Sequence, residues 1–168
     1  MNPTTDLESR MSDISTRIWA ALEEVKDPEI PTVSVVEMGI IDEVNIEDGI
    51  ASVTMIPTFS GCPALHEIRA DIAAAVRAAG FEPDVIVSKK AWSTDRLSES
   101  AREKMRAIGL APPSSHGGDV EWEWFSAVPC PFCSSADTVM DNAFGPTLCR
   151  AIMYCNACSQ PFEKFKPL

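Results

Sequence analysis

Residues 130–158 read CPFCSSADTVMDNAFGPTLCRAIMYCNAC, a stretch that begins and ends with a Cys-x-x-Cys pair. The two pairs are separated by 21 residues, and β-branched and aromatic residues recur between and after them. Two thiolates so close in sequence can bind one metal ion from a tight turn, and two such turns complete a tetrahedron of sulfur ligands. The pattern predicts a small β-rich ribbon over residues 129–168, with the metal ligands Cys130, Cys133, Cys155 and Cys158.

The metal that this ribbon is expected to hold is Zn2+ in a structural role. Tetrahedral sites of four thiolates suit zinc, at Zn–S distances of about 2.3 Å, and they also suit iron. A ribbon of roughly 40 residues cannot fold on a hydrophobic core alone, so the bound ion would supply much of the folding free energy. Dithiol redox chemistry is a weaker alternative, because no βαβ pattern of the thioredoxin type surrounds either pair.

The whole chain has the composition of a folded protein. It has 168 residues, of which 45% are hydrophobic and 23% are charged. No apolar run approaches the roughly 20 residues that a membrane helix needs, and the N-terminus lacks the basic and apolar stretches of a secretory signal. We therefore expect a cytoplasmic protein, in which clustered cysteines are metal ligands rather than disulfides.

The charge of the chain limits the partners that it can have. The formal net charge is −11, and the residues after Gly118 carry 3 basic and 6 acidic side chains, so no basic module is hidden at either end. Nucleic acids and anionic membranes are bound through a basic footprint. Neither is expected as a partner.

The residues before the ribbon predict one α/β domain. Asp48-Gly49 lies between two β-rich runs and indicates a tight hairpin turn. Apolar residues recur at helical spacing in three further segments, and the element order is α-β-β-α-β-α. The predicted fold is α/β (α+β), a small mixed sheet packed by helices and followed by the ribbon. The predicted segments are a flexible N-terminus (1–11), the α/β domain (12–110) and a Pro- and Gly-containing linker (111–128).

Cys62 stands alone where a loop enters the second predicted helix, with Gly61 before it and Pro63 after it. Backbone N–H groups at a helix N-terminus stabilise a thiolate, which makes a better nucleophile or soft-metal ligand. An inert, buried cysteine fits the same position. His66 lies one helical turn further on, so a Cys–His hydrolase dyad is conceivable, but the chain offers no evident orienting residue or oxyanion loop.

Cys149 is the remaining cysteine. It lies six residues before Cys155, which is about 20 Å along an extended strand. It therefore cannot join the same tetrahedron without a sharp bend. Two interpretations remain open: a small buried hydrophobic residue, or a free thiol that handles a second, transient metal.

Three further motifs carry a resemblance to a known type of domain. They are DPEIP at residues 27–31, MGII at residues 38–41 and TFSGCP at residues 58–63. Together they resemble the MIP-type domain of iron–sulfur cluster assembly and targeting factors.

Three other motifs narrow the resemblance. They are AWSTD at residues 91–95, GLAPP at residues 109–113 and PFEKFK at residues 161–166. With these motifs, nearly the whole chain after about residue 12 is similar to the D-subunit family of bacterial phenylacetyl-CoA epoxidase (phenylacetate degradation) systems.

This resemblance implies a non-catalytic accessory protein that helps a phenylacetyl-CoA oxygenase to acquire its iron or iron–sulfur centres. The implied site is Cys62 as the reactive cysteine, with Thr58 and the loop of Asp27 and Glu29 beside it. Cys149 also stands where relatives have a cysteine. The implied partners are the other subunits of the oxygenase and its reductase.

One protein thiol makes an incomplete metal site, which favours the hand-over of transient iron or an iron–sulfur cluster. A second chain could complete the site, so we expect a homodimer or a complex with the client. The alternative is a docking subunit with a purely structural zinc ribbon. A thiol hydrolase or oxidoreductase is a third hypothesis, and it predicts turnover by the isolated chain.

Overall fold

The computed structural model describes residues 14–59, 61–113 and 127–166. The predicted flexible N-terminus, Ser60 and most of the predicted linker lie outside these ranges. The described residues form two compact units: one holds residues up to Pro57 together with Pro63–Lys90, and the other holds Thr58–Cys62 together with the chain from Ala91 onward. The chain is therefore divided at places other than the predicted linker, and residues 91–110 belong to the unit that contains the ribbon.

The first unit begins with a helix and a short hairpin. Helix α1 covers residues 14–23, and Ile18 and Leu22, which share one face at helical spacing, are fully buried. The chain then forms two antiparallel strands, β1 (Lys26–Asp27) and β2 (Ile30–Ser34). The sequence predicted an irregular stretch here, because proline recurs in it.

A three-stranded mixed sheet forms the centre of the first unit. Strands β3 (Ile41–Glu47) and β4 (Ile50–Met55) are antiparallel, and β5 (Glu82–Val87) lies parallel to β4 in the order β3-β4-β5. Asp48 and Gly49 have φ values of 48° and 83°, and a type I′ hairpin turn requires positive φ at both central positions. The predicted hairpin and the predicted α+β class are confirmed.

Helix α2 (Leu65–Ala78) connects β4 to β5 and packs against β5. Its buried residues Ile68, Ile72 and Val76 follow the helical period. Gly80 follows the helix with a φ of 93°, the left-handed conformation in which helices commonly end.

The described residues of the second unit form one α-helix and a four-stranded sheet. A 3₁₀ turn (Thr94–Arg96) leads to α3 (Glu99–Ala107), whose N-cap Ser98 accepts a hydrogen bond from the backbone N–H of Ala101 at 3.0 Å. The sheet has the order β6-β9-β8-β7; β6 is parallel to β9, and the other pairs are antiparallel. Its strands are β6 (Leu110–Ala111), β7 (Thr138–Asn142), β8 (Arg150–Cys155) and β9 (Gln160–Phe165).

Strand β6 explains why residues 91–110 join the ribbon. Leu110 and Ala111 pair with Glu163 and Lys164 of β9, so the segment after α3 is an edge strand of the ribbon sheet. One hydrophobic cluster consists of Ala111, Val128, Cys130, Met153, Cys155 and Phe162. Within the described ranges, no helix is long and apolar enough to cross a membrane.

Candidate functional site

The two Cys-x-x-Cys pairs lie in equivalent turns. In the first turn, the backbone N–H of Ser134 donates to the carbonyl of Cys130 at 2.8 Å; in the second, the N–H of Ser159 donates to the carbonyl of Cys155 at 2.9 Å. Both serines follow the second cysteine of their pair, and both have a positive φ, of 62° and 57°. Each turn thereby reverses the chain, so that both of its cysteines can face the same point.

The sulfur atoms of Cys130, Cys133, Cys155 and Cys158 all lie within 4.8 Å of one another. The Sγ atoms of Cys130 and Cys158 are 3.7 Å apart, and those of Cys133 and Cys155 are 3.6 Å apart. A tetrahedral ion with Zn–S bonds of about 2.3 Å has sulfur–sulfur edges of about 3.8 Å. The four cysteines therefore fit zinc.

Four protein sulfurs fill every position of a tetrahedron, as in a closed, structural zinc site. Cys130 and Cys155 are buried, Cys158 is half-buried and Cys133 is exposed. The backbone N–H of Cys158 donates to the sulfur of Cys155 and lowers the pKa of Cys155 to about 7, whereas burial raises the pKa of Cys158 to about 12. Because metal binding requires deprotonated thiols, zinc binding releases protons and strengthens as the pH rises.

Cys149 lies apart from this cluster. It directly precedes β8, whereas Cys155 ends that strand, and the group of four sulfurs does not include it. Its Sγ atom is 3.2 Å from Oγ1 of Thr147. The nearby Lys166 is buried, and its Nζ donates to the carbonyl of Leu148 at 2.9 Å. Burial lowers the pKa of Lys166, and the attraction of Cys149 opposes that effect.

Cys62 lies in a turn of the second unit. Its backbone N–H donates to the carbonyl of Phe59 at 3.0 Å, and its side chain is half-buried, as is that of Thr58. Helix α2 has its N-cap at Ala64, two residues further on. His66, the candidate partner in a Cys–His dyad, is exposed on the first turn of that helix.

Asp27 and Glu29 belong to the first unit. Oδ1 of Asp27 accepts hydrogen bonds from the backbone N–H groups of Glu29, at 2.8 Å, and Ile30, at 3.0 Å. Asp27 is only 7% exposed, whereas Glu29 is exposed. The Asp27 carboxylate therefore closes the turn between β1 and β2, a role that sequence reasoning missed although Asp before Pro commonly begins such turns.

We expect Asp27→Ala to lower the free energy of unfolding by about 1–3 kcal/mol, because it leaves two backbone donors without their acceptor. Asp27→Asn keeps an oxygen at the same place and should cost less than half as much. Denaturant unfolding of both variants measures the difference. Equal losses would show that the negative charge, rather than the two hydrogen bonds, matters at this position.

Two family models match separate parts of the chain. One, described as an iron–sulfur cluster assembly protein, matches residues 15–88, and the other, the PaaD zinc beta ribbon domain, matches residues 119–166. A crystal structure of a domain of unknown function, DUF59, from Bacillus anthracis is 28% identical, with a TM-score of 0.50. It covers 58% of this chain and 92% of its own.

Two curated proteins are similar over most of their own length. The D subunit of the "Putative 1,2-phenylacetyl-CoA epoxidase" of Escherichia coli (strain K12) is 35% identical over 151 residues, which are 89% of this chain and 90% of that protein. The "Fe-S protein maturation auxiliary factor YitW" of Bacillus subtilis (strain 168) is 32% identical over 93 residues, 53% of this chain and 90% of that protein.

The two curated relatives match different shares of this chain. The Bacillus subtilis protein is matched over little more than half of this chain, whereas the Escherichia coli protein is matched over nearly all of it. Both resemblances stated from the sequence are confirmed, as is the prediction of a zinc ribbon. This chain joins an iron–sulfur cluster assembly domain to a zinc ribbon, and it belongs to the D-subunit family of phenylacetyl-CoA epoxidase systems.

Proposed function

We propose that this chain is a non-catalytic accessory factor of a phenylacetyl-CoA oxygenase, and that it assembles or delivers the oxygenase's iron or iron–sulfur centres through Cys62. The names of the two curated relatives support both parts of this proposal, the client and the cargo. The observation that carries it is the half-buried thiol of Cys62, which lies outside the group of four ribbon cysteines. Such a thiol is partly exposed and is not one of the four candidate zinc ligands.

The thiolate of Cys62 would act as one soft ligand of the cargo iron. Iron takes several ligands, so a site with one protein thiol is incomplete. The client or a second copy of this chain would supply the others, which makes a homodimer or a client complex the working state. Release to the client then requires the loss of few strong bonds.

Other residues are proposed as supports of this transfer. Thr58 begins the segment that carries Cys62, and its hydroxyl is proposed to lie beside the cargo. Cys149 is the second thiol of the same unit outside the ribbon cluster, and it is proposed as a transient ligand. Asp27 and Glu29, which belong to the other unit, are proposed as further site residues from the resemblance alone.

The ribbon is proposed to have a separate, permanent role. Cys130, Cys133, Cys155 and Cys158 would hold one structural zinc ion, with all four coordination positions filled by the protein. Zinc held in this way has no open position for a substrate. We propose that the protein acts in the cytoplasm, together with its client enzyme.

Anaerobic purification of the Cys62→Ser variant tests the proposed function. We expect its affinity for Fe2+ to fall by about tenfold or more, its zinc content to stay unchanged and its ability to mature the oxygenase to be lost. Cys149→Ser is the comparison variant: it removes the other half-buried thiol outside the ribbon cluster, a proposed transient ligand, and it should weaken iron binding less.

Two results would contradict this proposal. If Cys62→Ser matures the oxygenase as well as the wild type, Cys62 has no role in transfer. If neither variant changes iron binding while the chain still supports the oxygenase, the chain acts by docking alone.

A further inference from the structure

The outward side of the first sheet presents a row of side chains across three strands. Strand register pairs Glu43 of β3 with Thr54 of β4, and Thr54 with Ile86 of β5. In the same way it pairs Asn45 with Ser52, and Ser52 with Asp84. Residues two apart share one side of a strand. We call this side the acidic face; it consists of Glu43, Asn45, Glu47, Ile50, Ser52, Thr54, Glu82, Asp84 and Ile86.

The acidic face carries charge of one sign. It holds four carboxylates and no lysine or arginine, and all four acidic residues are exposed. Lys90, which follows β5, pairs with Asp42 at 2.7 Å, and neither residue belongs to the face. On the opposite side of the same strands, Ala51, Val53, Met55 and Val85 are buried. All four carboxylates therefore lie on the solvent-exposed side of the sheet.

Two large apolar side chains stand among these carboxylates. Ile50 is 45% exposed and Ile86 is 44% exposed, on neighbouring strands of the sheet. Single exposed hydrophobic residues are common. Here Ile50 lies between Glu47 and Glu82, and Ile86 lies four positions further along the neighbouring strand, so apolar side chains and carboxylates are interspersed across the face. Such a surface matches a partner that offers apolar and basic side chains together.

The spacing and the sign of the charges exclude other occupants. Carboxylates on alternate strand positions are about 7 Å apart, and among the described residues only the four ribbon cysteines bring three or more donor atoms together, so the face is not built to chelate a cation. A second copy that met this face with its own acidic face would bring like charges together, and like charges repel. Nucleic acids and anionic lipids carry the same sign as the face.

We propose that the acidic face docks a basic, partly apolar surface of the client oxygenase. This inference rests on the proposed function, since it names the surface through which the client would be recognised. Electrostatic complementarity of this kind accelerates association and selects among partners. The docking surface belongs to the first unit, and the candidate transfer thiol Cys62 belongs to the second, so binding and transfer can be tested by different variants.

The experiment measures the affinity of the full-length chain for the purified phenylacetyl-CoA oxygenase by calorimetry at two salt concentrations. In one variant the face is neutralised by Glu43→Gln, Glu47→Gln, Glu82→Gln and Asp84→Asn. The control variant changes the net charge equally, by Glu24→Gln, Glu67→Gln, Glu103→Gln and Asp141→Asn at exposed positions elsewhere. A third variant, Ile50→Ser with Ile86→Ser, leaves the charge unchanged.

We expect neutralisation of the face to weaken binding about tenfold or more and to reduce its dependence on salt, whereas the control changes affinity less than about twofold. The isoleucine variant should weaken binding at both salt concentrations alike. Equal effects of the face and control variants would mean that only net charge matters, and no effect of the face variant would mean that the client binds elsewhere; either result overturns the proposal.

Failure of this inference is distinguishable from failure of the proposed function. Fe2+ binding by the face variants should remain at the wild-type level, because Cys62 is intact in them. Conversely, iron-free Cys62→Ser should bind the oxygenase as tightly as the iron-free wild type while failing to mature it. If Cys62→Ser matures the oxygenase, the transfer role of Cys62 is wrong. The affinities of the face and control variants for the oxygenase still test whether the acidic face is the docking surface.

Discussion

Cys155→Ser should remove zinc from the ribbon and unfold the strands that surround it. Cys155 is fully buried, ends β8 and belongs to the hydrophobic cluster that contains Met153 and Phe162. Serine is a poor zinc ligand, and three thiolates hold the ion far less tightly than four. Because binding of structural zinc is worth about 10–16 kcal/mol in zinc-finger peptides, its loss exceeds what this small core can offset.

The measurement combines zinc content with hydrogen exchange. We expect the zinc-to-protein ratio to fall from about one to near zero, and the amides of β8 and β9 to lose their protection. Removal of zinc by a chelator should have the same effect on the wild type. The amides of β4, in the sheet of the other unit, are the internal reference.

Cys149→Ser provides the matched control for this prediction. It makes the same chemical change at the opposite end of β8, at a sulfur that is not part of the cluster. Its zinc content should stay at the wild-type level. Retention of both zinc and strand protection in Cys155→Ser would mean that the four sulfurs are not the ligand set.

The elements that the sequence predicted are those with local causes. The helical period of α2 and the Asp48-Gly49 turn are properties of short segments, and Gly80 ends its helix through its own backbone conformation. A Cys-x-x-Cys turn is equally local. These features do not depend on how distant parts of the chain meet, so pattern reasoning finds them.

The missed elements are short strands that exist only through their partners. Strands β1 and β6 have two residues each, too few to carry a periodic pattern, and the five residues of β2 include Pro31 and do not alternate between buried and exposed positions. Strand β6 forms because β9 offers it hydrogen bonds across more than 50 residues of sequence. The Gly- and Pro-containing stretch after α3 indicated a domain boundary, and no sequence pattern indicates that its first residues complete the ribbon sheet.

The residues of the candidate site also include some that the sequence could assign and one that it could not. The ribbon cysteines could be assigned from spacing, since two turns of fixed length suffice to build a tetrahedron. Asp27 could not be assigned, because its carboxylate serves backbone N–H groups within its own turn. Whether a carboxylate closes a turn or faces a metal depends on its rotamer and surroundings, which the sequence does not carry.

Arg102→Met should destabilise the second unit by about 3 kcal/mol or more, although methionine preserves much of the side-chain volume. Arg102 is 4% exposed. Its Nη2 donates to the carbonyl of Thr94 at 2.7 Å, and its Nη1 donates to the carbonyl of Pro113. One guanidinium group thus ties α3 to the 3₁₀ turn before it and to the chain that follows β6. Its loss leaves two carbonyls without a charged donor, and such hydrogen bonds contribute about 1.5–3 kcal/mol each.

Arg106→Met is the matched control, four residues further along α3. Arg106 is 50% exposed and pairs with Glu99 at 3.2 Å, and an exposed ion pair of this kind contributes less than about 1 kcal/mol. Urea unfolding of the zinc-loaded variants measures both losses. Equal losses would mean that α3 is held through its buried apolar residues, Ala101 and Met105, and that the guanidinium of Arg102 only fills space between the segments it contacts.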